Sequence, residues 1–237
     1  MITAPFWGSP VVPGQVRVFV MVLVGALLLP VVRGPLPPGL GSSVFSFVVP
    51  VAMELLLGFL FAYAALFIFS AAQFAGQLVD IQMGFGVANV IDPLSSSQVT
   101  LIGQVQYLVA LLVFLLLDGH HMVLDGLVRT FSIAPLGAPL ANADSLMVLV
   151  ESAGKLLFVV AAQLAAPVMT VLFMTNLALG LVSRMLPQMN IFLVGLPLQV
   201  GVGLLALAVS LSIFTGVWRG TITELKYSLD AIVAAVR

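Results

Sequence analysis

Few side chains in this sequence could carry out catalysis or hold a metal ion. Its 237 residues include nine acidic residues, eight basic residues, two histidines and no cysteine. It contains neither the His-Glu-x-x-His pattern of zinc proteases nor the Gly-x-Ser-x-Gly pattern of serine hydrolases. Because no nucleophile is placed beside a base, we predict that the chain is not an enzyme, with no catalytic residue and no cofactor.

One cluster could suggest a metal ion, namely Asp118-Gly119-His120-His121 with Asp125 close by. Neighbouring side chains on a helix diverge by about 100°, so the two adjacent histidines should point apart. A further ligand at a useful spacing is missing from the sequence. We therefore interpret these residues as polar groups that close a helix at the membrane interface, and we predict no metal site.

Glu54 introduces a charge into an otherwise apolar stretch. A charge at the centre of a bilayer costs roughly 3 kcal/mol on insertion scales, so such a residue normally faces protein or water. We predict that Glu54 contacts another subunit or lies at the membrane interface. A proton relay is the alternative.

The run from Gly76 to Ser97 has an unusual composition for a membrane protein. It carries two of the nine acidic residues, several glycines and amides and a proline, but no lysine or arginine. Backbone interrupted by glycine and proline at membrane depth leaves N–H and C=O groups unpaired. It is tolerated only where protein buries it or where it lines an aqueous cavity. The run therefore predicts a pore or gate element.

Gln73 and Gln77 stand four residues apart, on one helix face that leads to this run. Uncharged amides there would suit the wall of a conduit that must not hold charged cargo tightly. Ordinary hydrogen bonding between helices explains them equally well. The sequence leaves both interpretations open.

The composition shows which solvent surrounds these residues. The chain is 62% hydrophobic and only 7% charged, with a mean hydropathy of +1.24. Soluble domains usually carry about 25% charged residues, so the sequence predicts an integral membrane protein. The net charge of −1 shows no basic excess, and we expect no nucleic-acid partner.

Charge-free stretches predict an all-α fold with about five long apolar helices. The first is shorter than the roughly 20 residues that a bilayer requires, and the last two are long enough to exceed a perpendicular crossing. Pro167 and Pro197 should kink or break two of them. The last stretch, Gly220–Arg237, has the spacing of a short amphipathic helix on a membrane or partner surface. The basic residues favour a cytoplasmic C-terminus. The predicted stretches are Val18–Val32, Leu55–Val79, Pro93–Leu117, Leu156–Ser183 and Met185–Trp218.

Several motifs in order resemble the FliR family of flagellar biosynthetic proteins, which is related to the SctT proteins of virulence type III secretion. The resemblance covers the whole chain, and its motifs extend from Gly76 to Gly203. Gln82-Met83-Gly84 and the Gly-His pair favour the flagellar branch. The matching motifs are Gly76–Gly84, Asp92-Pro93, Asp118-Gly119-His120, Phe131 with Pro135-Leu136-Gly137, Asn176–Gly180, Arg184–Asn190 and Gly195-Leu196-Pro197.

The resemblance implies a place in the flagellar basal body, in the inner membrane of a bacterium. One copy would assemble with several copies of FliP-type and FliQ-type subunits and be wrapped by an FlhB-type switch protein. Together with membrane lipid, these subunits would surround a conduit for unfolded export substrates. The resemblance also implies a FliP-like front part (residues 1–140) and a FliQ-like rear hairpin (residues 141–237).

In the family, a plug-like loop corresponds to residues 84–98, called the plug segment below. We predict that its apolar side chains close the resting pore and that Gly84, Gly86 and Pro93 let the loop move. The predicted pore and plug residues are Gln82, Met83, Gly84, Phe85, Gly86, Val87, Asn89, Val90, Ile91, Asp92 and Pro93.

The predicted subunit contacts lie outside the plug segment. Arg184, Gln188 and Asn190 should hold the turn of the rear hairpin or touch a neighbour, and Asn176 and Glu54 complete the set. Family members carry a further apolar helix before a Pro-x-x-Gly segment that resembles Pro5–Gly8. We therefore expect the family's first helix to have no counterpart in this sequence.

A small-solute or ion-coupled permease is the competing hypothesis. In that case Glu54, Asp80 and Asp92 would form a site for the coupling ion. Transporters of this kind often contain two matching broken helices. The sequence shows one clear break without a second, which favours the export gate.

Overall fold

The computed structural model describes residues 13–30, 39, 42–85, 100–133, 137, 143–186, 188 and 190–235. The regular elements of these residues are α-helices, so the prediction of an all-α membrane protein is confirmed. We number them in chain order. They are α1 (Gly14–Leu28), α2 (Val44–Met83), α3 (Leu101–Leu116), α4 (Gly119–Ile133), α5 (Ala143–Met185) and α6 (Ile191–Ala235).

Three helices are much longer than the charge-free stretches predicted. α2, α5 and α6 contain 40, 43 and 45 residues. At about 1.5 Å per residue each is about 60 Å or longer, against roughly 30 Å for a bilayer core. Among the described residues these three could cross a membrane, and α3 with α4, bent by 66°, could form a fourth span.

The predicted helix ends are wrong because charged residues do not end these helices. Glu54 and Asp80 both lie within α2. Each carboxyl group accepts a hydrogen bond from a backbone N–H of another part of the chain. The protein thus supplies polar partners that water would otherwise provide, and α2 continues past both residues.

Proline also fails to end the long helices. Pro50, Pro167 and Pro197 lie inside α2, α5 and α6. Of the two outcomes expected at Pro167 and Pro197, a kink or a break, the structure excludes the break. Membrane helices tolerate proline because neighbouring groups can pair with the freed carbonyl.

The chain divides into two compact units that interleave along the sequence. Unit 1 comprises Met1–Phe69, Phe114–Leu156 and Thr221–Arg237, and unit 2 comprises Ser70–Val113 and Leu157–Gly220. This division is based on which parts of the chain pack together. The front and rear parts (residues 1–140 and 141–237) are instead predicted from the resemblance to the FliR family. The front and rear division stays a prediction.

Unit 1 packs the first part of α2 against α4 and the end of α6. A Cβ atom added to Gly126 would lie 3.1 Å from the ring of Phe61 and 3.6 Å from Cβ of Leu229. The rings of Phe69 and Phe114 meet edge to face, with centroids 5.2 Å apart. Glycine on α4 thus lets three helices approach closely.

The predicted amphipathic tail is the end of α6 and not a separate helix. Its apolar face is buried within this chain, so the prediction that it lies on a membrane or partner surface is wrong. The amphipathic spacing was recognised correctly, but the apolar face packs against other residues of unit 1. The buried residues are Ile222, Leu225, Leu229, Ile232 and Val233.

Unit 2 contains the most tightly packed part of α2. Ala71, Ala72 and Ala75 have no exposed surface, and neither does Val79. Small side chains allow helix backbones to approach closely, which is how helices associate in lipid. The ring of Phe74 meets that of Phe158 on α5 edge to face, with centroids 5.9 Å apart.

Replacement of Leu229 by alanine tests the packing of the tail. Leu229 is 2% exposed, and a cavity of this kind costs about 2–5 kcal/mol of stability. We expect Leu229→Ala to lower the melting temperature of the purified membrane complex clearly. Lys226→Ala, on the exposed face of the same helix, is the control. Equal melting temperatures for the two variants would contradict the packing described here.

Candidate functional site

The end of α2 is closed by its own backbone. Gly84 has a φ of 89°, a left-handed conformation that glycine adopts without steric cost. The N–H of Gly84 donates to the carbonyl of Ile81 (3.2 Å), and the N–H of Phe85 donates to the carbonyl of Asp80 (3.1 Å). This pair of bonds is the Schellman motif, which pairs the last free carbonyls of a helix.

The start of α3 is capped by a side chain from α2. The N–H of Ile102 donates to Oδ1 of Asp80 (3.1 Å), and the N–H of Gly103 donates to Oδ2 (3.3 Å). The first N–H groups of a helix have no partner within the helix, and carboxylates are among the side chains that cap them best. Asp80 is only 4% exposed, so water contributes little to this end of α3.

Two glycines let α2 and α3 come close enough for this contact. A Cβ atom added to Gly76 would lie 2.3 Å from Cα of Gly103 and 2.5 Å from its nitrogen. A Cβ atom added to Gly103 would lie 3.0 Å from the carbonyl oxygen of Gln73. The glycines of the sequence motif therefore serve backbone contact between helices here, and not only flexibility.

The end of α2 also rests on α6. A Cβ atom added to Gly203 would lie 2.8 Å from Cε of Met83, and one added to Gly84 would lie 2.6 Å from Cδ2 of Leu196. Met83 has no exposed surface. It therefore anchors the start of the plug segment by packing within the chain.

The predicted pore and plug residues are described only in part. Gln82 and Phe85 are half-buried, beside the anchoring residues Met83 and Gly84. The other predicted plug residues lie outside the described residues. These are Gly86, Val87, Asn89, Val90, Ile91, Asp92 and Pro93.

A cleft with a polar side lies next to this junction in unit 2. Its volume is about 410 Å³, and it is lined by Ser70, Gln73, Phe74, Gln77, Leu157 and Phe158. Ser70, Gln73 and Gln77 make no side-chain hydrogen bond to any other described residue. Unpaired polar groups cost several kcal/mol each in hydrocarbon, so this face of α2 requires water or a polar partner.

Two of the predicted subunit contacts bind within the chain. Oε1 of Glu54 accepts a hydrogen bond from the N–H of Gly137 (2.9 Å) in unit 1. In unit 2, Oδ1 of Asn176 accepts one from Nε2 of Gln199, beside a cleft of about 290 Å³ between α5 and α6. Contacts of either residue with another subunit stay a prediction.

The other predicted subunit contacts surround the connection between α5 and α6. Arg184, Gln188 and Asn190 are exposed. The carbonyl of Asn190 accepts a hydrogen bond from the N–H of Leu193 (3.1 Å), in the first turn of α6. The expected role of Arg184, Gln188 and Asn190, to hold the turn of the hairpin or touch a neighbour, stays a prediction.

The histidine pair is arranged differently from the expectation. The rings of His120 and His121 lie 4.1 Å apart between centroids, so the prediction that they point apart is wrong. Asp118, with a left-handed φ of 54°, turns the chain into α4, and its Oδ1 lies 3.4 Å from Nδ1 of His121. The possible ligand atoms of Asp118, His120 and His121 all lie within 4.8 Å of one another, so these three residues are close enough to hold a metal ion. The absence of a metal site stays a prediction.

Asp80 is the important residue that the predicted site omitted. Its hydrogen-bond partners lie 22 and 23 residues further along the chain, and local sequence patterns do not predict contacts between residues so far apart. The signal available in the sequence was a carboxyl group in an apolar stretch, four residues before Gly84. A carboxyl group in that position needs donors, but the sequence does not say which ones.

Comparison with known proteins identifies the family. Residues 1–225 match the family described as bacterial export proteins, family 1. The chain belongs to this family. It is 36% identical over 185 residues to the flagellar biosynthetic protein FliR of Bacillus subtilis (strain 168), with 77% of this chain and 71% of that protein covered.

Two more relatives of this bacterial export protein cover more of its length. The flagellar biosynthetic protein FliR of Escherichia coli (strain K12) is 33% identical over 208 residues, or 87% of this chain and 77% of that protein. The protein of the same name from Aquifex aeolicus (strain VF5) is 31% identical over 219 residues, or 91% and 82%. The resemblance to the FliR family is thereby confirmed.

Substitution of Gly76 tests the close contact at the junction. The added methyl group of Gly76→Ala would overlap the backbone of Gly103, and overpacking of this kind costs about 1–3 kcal/mol. We expect a lower melting temperature of the purified membrane complex. Gly58→Ala is the matched control, because an added Cβ atom there meets nothing within 4 Å. A melting temperature for Gly76→Ala equal to that of the control would contradict the contact.

Proposed function

We propose that this protein is a non-enzymatic component of the flagellar type III protein export gate. In this role it forms part of the inner-membrane conduit of the basal body, through which unfolded export substrates pass. Membership of a family of bacterial export proteins supports the general role. The flagellar assignment follows the names of the relatives in Bacillus subtilis and Escherichia coli.

The observation that carries the proposal is the junction between α2 and α3. Both helices belong to apolar parts of the chain, yet α2 ends and α3 begins at this junction. There Asp80 accepts the N–H groups of Phe85, Ile102 and Gly103. A connection at membrane depth is tolerated only if protein buries it or if it lines a water-filled space. The plug segment, which follows the buried anchors on α2, is the part that meets the conduit in this proposal.

In this proposal the plug segment closes the resting conduit. Phe85, Val87, Val90 and Ile91 provide apolar side chains, and an apolar constriction excludes ions by dewetting. Gly84, Gly86 and Pro93 permit the backbone to change conformation when a substrate passes. The fixed anchors keep the rest of α2 and α3 in place during that change.

In this proposal the hydroxyl and amide side of the cleft gives the conduit a wall that suits extended chains of any sequence, while the rest of the cleft is apolar. Ser70, Gln73 and Gln77 offer hydrogen-bond donors and acceptors without net charge. Such groups pair with a peptide backbone or with water, and they do not hold charged side chains strongly. This property fits a passage for many different unfolded proteins.

The exposed surface of α6 supports an assembly with other membrane subunits. Only 11% of its apolar stretch is buried within this chain, against 56% for α2. Helices of FliP-type and FliQ-type subunits, an FlhB-type switch protein and lipid would cover this surface. The basic residues Arg219, Lys226 and Arg237 place the C-terminus in the cytoplasm in this proposal.

A permease gains no support from the described carboxyl groups. Oxygen atoms of Glu54 and Asp80 already accept backbone N–H donors, whereas a coupling-ion site requires oxygens turned toward the ion. The third residue of that hypothesis, Asp92, lies outside the described residues. We therefore propose no second function.

Shortening the plug segment tests the closure of the gate. Replacement of residues 87–97 by a short glycine–serine linker should raise ion conductance through the complex reconstituted in a bilayer. A loop of natural length with Phe85, Val87, Val90 and Ile91 changed to serine should leak as well, because the apolar seal is lost. Ser95→Ala serves as the control. If both altered loops conduct no more than the natural protein, the plug hypothesis is wrong.

Native mass spectrometry of the complex tests the assembly. A tag on the C-terminus of the chain allows purification from its own cells in mild detergent. We expect one copy of this chain with several copies of two other small membrane proteins. A monomer or a homodimer without such partners would contradict the export-gate proposal.

A further inference from the structure

We infer that Asp80 is a positioning residue of the export gate, which locks the end of α2 to the start of α3 and so keeps the resting gate sealed. The inference rests on the proposed function. It concerns a residue that accepts hydrogen bonds from Phe85, Ile102 and Gly103 within unit 2, and it assigns the role to these bonds and not to a transported ion.

The two halves of Asp80 fix two different helix ends. Its backbone carbonyl accepts the N–H of Phe85 and closes α2, at 3.1 Å. Its side chain accepts hydrogen bonds from the N–H groups of Ile102 (3.1 Å) and Gly103 (3.3 Å) and so caps the start of α3. One residue therefore takes part in both the last turn of α2 and the first turn of α3.

Packing around Asp80 holds this arrangement but cannot replace it. Gly76 and Gly103 bring the two backbones together, and Met83 fills the space beside Gly203. The contacts of Gly76, Met83 and Gly203 are apolar or between backbones, so they offer no acceptor to the free N–H groups of α3. A further polar atom beside this turn is Oγ1 of Thr100, 3.1 Å from a Cβ atom added to Gly103. If the carboxyl group is removed, two buried donors lose their partners, and the first turn of α3 is expected to fray or to move toward water.

The geometry predicts a graded response to substitution at position 80. Alanine removes both acceptors. Asparagine keeps one acceptor oxygen but turns an N–H group toward the second donor. The leak through the gate should therefore rise in the order natural protein, Asp80→Asn, Asp80→Ala.

The first experiment measures ion conductance of the reconstituted complex for these variants together with the shortened plug segment. We expect conductance several-fold above the natural protein for Asp80→Ala and an intermediate value for Asp80→Asn. Asp125→Ala is the matched control, because the carboxyl group of Asp125 is exposed and its partner is a side chain, Arg129. Native mass spectrometry confirms that each variant is assembled.

The pattern of results separates this inference from the proposed function. If the complex with the shortened plug segment conducts ions and the Asp80→Ala complex does not, the role of Asp80 is overturned and the plug hypothesis stands. If neither complex conducts more than the natural protein, the role of Asp80 and the plug hypothesis are both overturned. Equal leaks from Asp80→Ala and Asp125→Ala would also overturn the inference, because the effect would not belong to the cap.

A second measurement keeps the inference testable if Asp80→Ala assembles poorly. Amide hydrogen exchange of the peptide that contains residues 100–104 reports the first turn of α3 directly. We expect exchange on the order of fivefold faster in Asp80→Asn than in the natural complex, since capping holds this turn closed. Unchanged exchange there would show that Asp80 does not hold α3.

Discussion

The pairing of buried backbone groups is the constraint on which the junction of α2 and α3 depends. A buried N–H group without a partner costs about 1–3 kcal/mol, and Asp80, which accepts these groups, is itself only 4% exposed. Asp80 meets the constraint at two helix ends, through its carbonyl and its carboxyl group. The close approach at Gly76 and Gly103 is what brings the donors within reach of that carboxyl group.

Unit 1 contains a second contact of the same chemical type. There Glu54, in the interior of α2, accepts the N–H of Gly137, whose φ of 72° and position against Pro50 require glycine. In each unit a carboxyl group from a long apolar helix reaches the backbone of a connection or of another helix. The acidic residues of α2 thus serve as internal partners for backbone that lipid cannot satisfy.

The class of the protein was predictable from composition, whereas the long-range contacts were not. A low charge content and long apolar stretches are sufficient to indicate helices in a membrane. The glycine-rich run around Gly84 correctly marked the end of one helix. The ends of α2 were misjudged because Glu54 and Asp80 are the limits of a charge-free stretch, whereas both lie inside the helix and accept donors from far along the chain. The apolar face around Leu229 was recognised, but sequence periodicity does not reveal which surface covers it.

Fixed anchors also determine how the sequence between them can change over evolutionary time. Phe85 and Thr100 stand beside paired helix ends, and the entropy of closing a connection between two such fixed points depends only weakly on its length. The change is about 0.6 kcal/mol for each doubling of loop length. A longer or shorter connection between the anchors therefore costs little closure entropy. The paired helix ends can stay unaltered while the length of chain between them changes.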